Sequence, residues 1–162
     1  MEIRGETPDD IPAIRTLVAE AFPTPAEADL VDRLRADGSA VFSLVAIMDR
    51  RPVGHVMFSR MEGPDSALGL APVAVMAAWR RQGIAAALIR EGLSRALADG
   101  WASAFVLGDP AYYGRFGFAA QLAEGFASPY AGPHLMGLAL REHALSERTG
   151  ELRYPGAFAA LG

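Results

Sequence analysis

The 162-residue chain contains no cysteine and no lysine. Without cysteine it has no disulfide, no thiolate metal ligand and no cysteine acyl intermediate. Without lysine it has no amine for a Schiff base, and all 15 of its basic residues are arginine. No apolar run approaches the ~20 residues that cross a bilayer. The start, Met1-Glu2-Ile3-Arg4-Gly5-Glu6, is charged and lacks the apolar stretch of a secretory leader. A basic surplus is missing too. The 15 basic and 19 acidic residues leave a formal charge of −4, which argues against a nucleic-acid partner. These absences lead us to expect a cytoplasmic protein with no membrane contact and no metal.

What is present is enough to fold without staples. The chain is 51% hydrophobic and 21% charged, within the range of ordinary globular domains. A chain of this length buries roughly 70% of its unfolded surface. We expect a single domain over 1–162, with no internal repeat or linker.

The chain opens with a short strand at 2–6. Thr7-Pro8-Asp9-Asp10 is a helix start, with threonine as N-cap and proline in the first helical position. Ile11, Ile14, Leu17, Val18 and Ala21 recur at helical spacing until Pro23. Thr24-Pro25-Ala26-Glu27 begins a second helix, which Asp37-Gly38 closes. Val41–Met48, Val53–Met61 and Ala67–Val75 read as three successive strands joined by turns. Pro72 inside the third implies a bulge or a splayed edge, because proline cannot donate to a ladder. A helix after Gly83 buries Ala85, Leu88, Ile89, Leu93, Ala96 and Leu97 and ends at Asp99-Gly100. Ala104–Leu107 is a buried strand parallel to the one before that helix. Asp109-Pro110 opens a short helix, and Phe118–Leu122 and Leu135–Leu140 are strand-like. The fold class is therefore α/β (α+β). A mixed, mostly antiparallel sheet of 6–7 strands would carry helices on both faces.

The stretch from Val73 to Ala85 builds an anion site. The strand ends, Arg80 and Arg81 bring positive charge, and Gly83 removes a side chain where a ligand would approach. The following helix then presents its unsatisfied amides and the positive end of its dipole. A coenzyme diphosphate fits such a turn.

Arg80-x-x-Gly83-x-Ala85 matches the Gln/Arg-x-x-Gly-x-Gly/Ala signature of the GNAT superfamily of N-acetyltransferases, and Val73-Ala74-Val75 precedes it at the expected distance. Downstream, Tyr113-x-x-x-Gly117-Phe118 matches a second element. The run from Val106 to Phe118 and the closing Tyr154-Pro155-x-Ala157-Phe158 resemble a bacterial, YhbS-like branch of that superfamily. The resemblance covers most of the chain and implies acetyl-CoA as co-substrate. It puts the diphosphate on backbone amides from about Gln82, through Gly83 and Ile84, to Ala85, beside Arg80 and Arg81. The backbone of Val73, Ala74 and Val75 would pair with the pantetheine arm and supply a donor to the thioester oxygen. Asp109, Tyr112, Tyr113 and Phe116 would complete the coenzyme contacts.

An amine attacking a thioester develops an oxyanion that needs a donor, and the departing thiolate gains from a proton. The resemblance makes Tyr113 the general acid. Transfer would be direct, within a ternary complex, to a primary amine on a small molecule or protein. The sequence departs from the family pattern in two places. No asparagine stands early in the downstream motif, where this chain has Gly108-Asp109. No acidic residue lies in Ala67–Val75 to act as general base. Glu62, His55 and Asp109 are the nearest candidates, and water or a group on the substrate remains open. An acyl-CoA-binding module without catalysis, acting by interaction or sensing, is the alternative. The acceptor would be chosen by the two early helices, the loop Glu62–Ser66 and the segment Glu124–His134. The resemblance also allows a homodimer.

Overall fold

The first helix is capped by its own sequence. Asp10 accepts hydrogen bonds from the Thr7 amide (2.7 Å) and the Thr7 hydroxyl (3.1 Å). A 3-10 turn at Pro8–Asp10 leads into α1, Ile11–Ala21. Arg4, on the short strand β1 (Glu2–Gly5), grips the same carboxylate at 2.7 and 3.1 Å. That grip, with the Thr7 bonds, holds Asp10 down to a pKa of about 2. In this way one aspartate ties the strand to the start of the helix.

The computed structural model describes residues 1–146 and 149–161. After α1 come α2 (Ala26–Ala36) and three strands, β2 (Ala40–Met48), β3 (Arg51–Arg60) and β4 (Ala67–Val75). Then follow α3 (Ile84–Ala98), β5 (Ser103–Leu107) and the single-turn α4 (Pro110–Tyr113). The remainder holds β6 (Phe126–Ala127), β7 (Leu135–Ala139), β8 (Gly150–Glu151) and a closing 3-10 segment, Gly156–Leu161. Six strands form one sheet in the order β1-β2-β3-β4-β5-β7. The pairs β1–β2, β2–β3 and β5–β7 are antiparallel and β4–β5 is parallel. The expected fold class is the one observed.

The chain divides into two compact units. One comprises Met1–Ser59, Ala71–Gly92 and Gly156–Gly162. Here Ile14, Leu17 and Val18 of α1, and Leu30, Val31 and Leu34 of α2, are buried, each contributing roughly 1.5–3 kcal/mol. Helices cover both faces of this unit's strands. On one face α3 lies so close to β3 that a Cβ on Gly92 would sit 2.1 Å from the Phe58 ring. On the other face, Arg35 of α2 reaches Glu6, and Glu6 reaches Ser43 of β2. The second unit comprises Arg60–Leu70 and Leu93–Pro155. Its core gathers Met61, Ala67, Phe105, Ala123, Phe126, Leu135, Leu145 and Leu152.

Some local expectations change. The second helix starts at Ala26, whose amide bonds the Thr24 hydroxyl at 3.3 Å, so Thr24 acts two residues ahead of the first helical residue, with Pro25 between them. The splayed edge expected at Pro72 is retained: the parallel pairing of β4 with β5 runs from Ala67 to Gly69 and stops ahead of Pro72, while β4 itself continues to Val75. Phe118–Leu122 is not a strand. Ala119 makes one bridge to Gly137, and Ala120–Leu122 then coils into a 3-10 turn. The small alanines there give a strand little to pack, and a short apolar run does not distinguish the two periods. On α3 the buried stripe includes Ile84 and excludes Leu97, which is 56% exposed.

Candidate functional site

The turn ahead of α3 has the backbone of an anion cradle. After a 3-10 turn at Ala77–Trp79, the sign of φ alternates. Arg80 is at −70°, Arg81 at +64° and Gly83 at +81°, with Gln82 between the two left-handed residues. Such alternation turns successive amides toward one side, the geometry of an anion-binding nest. At Gly83 the positive φ is what calls for glycine, since an added Cβ would meet nothing within 4 Å. The first hydrogen bond of α3 runs from Ala87 to the Gly83 carbonyl at 3.0 Å. The amides of Ile84, Ala85 and Ala86 therefore lack an intrahelical acceptor. With 15 residues behind them they carry a full helix dipole. Arg81, Gln82 and Gly83 are exposed, and Ile84 anchors the turn by burial. Arg80 donates to the Val75 carbonyl at 3.1 Å, tying the turn to the end of β4. This unit thus brings together Val73, Ala74, Val75 and the whole run from Arg80 to Ala85. The donor set is cationic side chains and free amides around open space, which fits a diphosphate.

The second unit holds the aromatic half of the predicted residues. Asp109 caps α4 by accepting from the Ala111 amide at 3.0 Å. Behind the cap, Tyr112, Tyr113, Phe116 and Phe118 form one cluster. Tyr113 lies 5.1 Å from Tyr112, 6.2 Å from Phe116 and 6.0 Å from Phe118, ring centre to ring centre. Arg115 stacks over Tyr112 at 4.3 Å and bonds its carbonyl at 2.9 Å. Burial, with the neighbouring Tyr112, raises the Tyr113 phenol above its ordinary pKa. It is therefore neutral and carries a proton to give. The ring of Tyr113 lies on Gly108, where a Cβ would approach Cε2 to 2.6 Å. Gly108 stands near the place where the family pattern has asparagine, and its role here is to make room for the tyrosine.

The candidate bases fall apart chemically. Glu62 is exposed in the turn before β4, its amide bonded to the Arg153 carbonyl at 2.7 Å. One oxygen of Asp109 is engaged by the cap. His55 is fully buried in β3, with Nε2 2.8 Å from the Ser43 hydroxyl. That hydroxyl bonds Glu6, which Arg35 holds at 2.8 and 2.9 Å. Burial pushes the His55 pKa down to about 4, against a smaller upward pull from Glu6. Burial disfavours the Glu6 charge, but the bonds from Arg35 and Ser43 prevail and hold its pKa below the ordinary value. This charged, buried chain is a structural network, and only the histidine was marked as notable by sequence. Among the described residues no group of three or more potential metal ligands gathers, and no helix is long and apolar enough to cross a membrane.

Solved structures with this architecture include complexes with coenzyme. Residues 11–118 match the model of the acetyltransferase (GNAT) family. The uncharacterised N-acetyltransferase YhbS of Escherichia coli is 44% identical over 122 residues, 73% of each chain. Its crystal structure in complex with CoA superposes with a TM-score of 0.93 at 36% identity, covering 99% of this chain and 93% of that one. A Brucella melitensis acetyltransferase of the same family, solved in complex with acetyl-CoA, gives a TM-score of 0.80 at 32% identity over 97% of both chains.

Proposed function

The chain belongs to the acetyltransferase (GNAT) family, and from that premise we propose that it transfers the acetyl group of acetyl-CoA to a primary amine of a small molecule or protein. The observation that carries this reading is the alternating turn Arg80–Gly83 opening a 15-residue helix. Free amides, a helix N-terminus and arginines meet the requirements of the diphosphate.

The chain's own residues then have the following parts. Amides from Gln82 to Ala85 hold the diphosphate, beside Arg80 and Arg81. The backbone of Val73–Val75 aligns the pantetheine arm, and an amide at or next to Val75 stabilises the oxyanion. Tyr113, kept neutral by burial, protonates the departing thiolate. Asp109, Tyr112 and Phe116 shape its surroundings, and residues 1–162 act as one acyl-CoA-binding domain. With no cysteine in the chain, the amine attacks the thioester directly in a ternary complex.

Incubation with acetyl-CoA and a panel of amines, with free thiol as the readout, tests the proposal. Thiol release that depends on an amine is the expected result. A second reading, a coenzyme-binding module without catalysis, is favoured by the absence of any carboxylate in β4. Tight acetyl-CoA binding with no thiol release from any amine would establish that second reading instead.

A further inference from the structure

The acceptor amine must lose a proton before it can attack, and of the three bases marked by sequence His55 is fully buried and Asp109 is held at one oxygen by its cap. A second histidine offers another acceptor. His134 is exposed and directly precedes β7. The register Leu107↔Leu135 sets it opposite Gly108, and two hydrogen bonds close that pair. The Gly108 amide donates to the His134 carbonyl at 2.9 Å. His134 Nδ1 lies 3.2 Å from the Gly108 carbonyl oxygen. A carbonyl only accepts, so Nδ1 carries the hydrogen and the neutral ring presents its lone pair at Nε2. The backbone thereby selects the tautomer whose basic nitrogen is Nε2. Gly108 is also the residue on which the Tyr113 ring rests, 2.6 Å from the position a Cβ would take.

We propose that His134 is the general base of the transfer, receiving the proton of the acceptor ammonium at Nε2. This rests on the acetyl-transfer reading above. One residue, Gly108, then seats both proton carriers, Tyr113 on its Cα and His134 on its carbonyl. The ammonium gives one proton to Nε2, and the freed nitrogen attacks the thioester carbon. The C–N bond forms and the C–S bond breaks. The thiolate leaves with the Tyr113 proton, the second nitrogen proton restores the tyrosine, and His134 releases its proton to solvent.

The test compares two acceptor classes in the wild type and in His134→Asn. Asparagine can keep a donor toward the Gly108 carbonyl but has nothing at the position of Nε2. With an alkylamine, protonated at neutral pH, kcat falls about 100-fold, the scale of a lost general base. With an arylamine, already neutral at that pH, kcat is nearly unchanged. The KM for acetyl-CoA stays the same with both. An equal loss with both amines, or no loss with either, overturns the assignment while leaving the transfer reading in place. A wild-type chain that binds acetyl-CoA and releases no thiol with either amine overturns the transfer reading, and this assignment with it.

Discussion

Replacing His55 by glutamine should flatten the acid side of the stability profile. The imidazole is fully buried, and burial lowers its pKa from 6.5 to about 4. The folded chain accepts the neutral ring, whereas the unfolded chain binds a proton more readily. Stability is therefore whole above pH 6.5 and is lost as the pH falls toward 4. A tenfold difference in proton affinity is worth about 1.4 kcal/mol, so the full gap is roughly 3 kcal/mol. Linkage places roughly 2 kcal/mol of that loss between pH 7 and pH 5. Glu6, whose folded pKa lies below its ordinary 4.5, costs stability only at lower pH, so the upper window belongs to the histidine. Glutamine can reach Ser43 with its amide and has no charge to gain. Urea midpoints at pH 7, 6 and 5 measure the effect. The wild type should lose about 2 kcal/mol across the series. His55→Gln should start lower and stay nearly level. A level wild type, or a variant that falls as steeply, would refute the account of His55 as a buried neutral group.

Other substitutions probe packing and the site. Gly92→Ala drives a methyl into Phe58, 2.1 Å away. It should lower the unfolding free energy by about 1–3 kcal/mol in urea titrations, despite the better helix propensity of alanine. Gly83→Ala meets no neighbour but strains a left-handed residue, so it should cost about 1–2 kcal/mol and weaken acetyl-CoA binding in calorimetry. Tyr113→Phe keeps the ring on Gly108 and removes the proton. It should reduce kcat about 100-fold with the acetyl-CoA dissociation constant unchanged. Gly108→Ala displaces that ring and should likewise act on kcat more than on coenzyme affinity.

Legibility in the sequence followed the range of the interactions. The start of α1 was readable because Thr7, Pro8 and Asp10 cap it within four residues of chain. The Arg80–Ala85 turn was readable because glycine and arginine meet a helix start there. Fold class followed from the order of strands and helices. What escaped reading depends on distant partners. The chain from Arg35 through Glu6 and Ser43 to His55 joins three elements and the turn after β1, and nothing local marks it. Gly92 reads as a weak spot in a helix until Phe58 is seen against it. His134 gained its tautomer from a carbonyl 26 residues away. Phe118–Leu122 failed for a different reason, since alanine-rich apolar runs fit a turn as readily as a strand.

A single-turnover experiment addresses the central claim most directly. Protein, acetyl-CoA labelled in the acetyl group and an acceptor amine are mixed, and thiol, acetylated amine and labelled protein are followed together. Direct transfer predicts thiol and acetylated amine appearing at one rate and in equal amounts, with no label on the protein. Thiol appearing ahead of the product, with label on the protein, would contradict it.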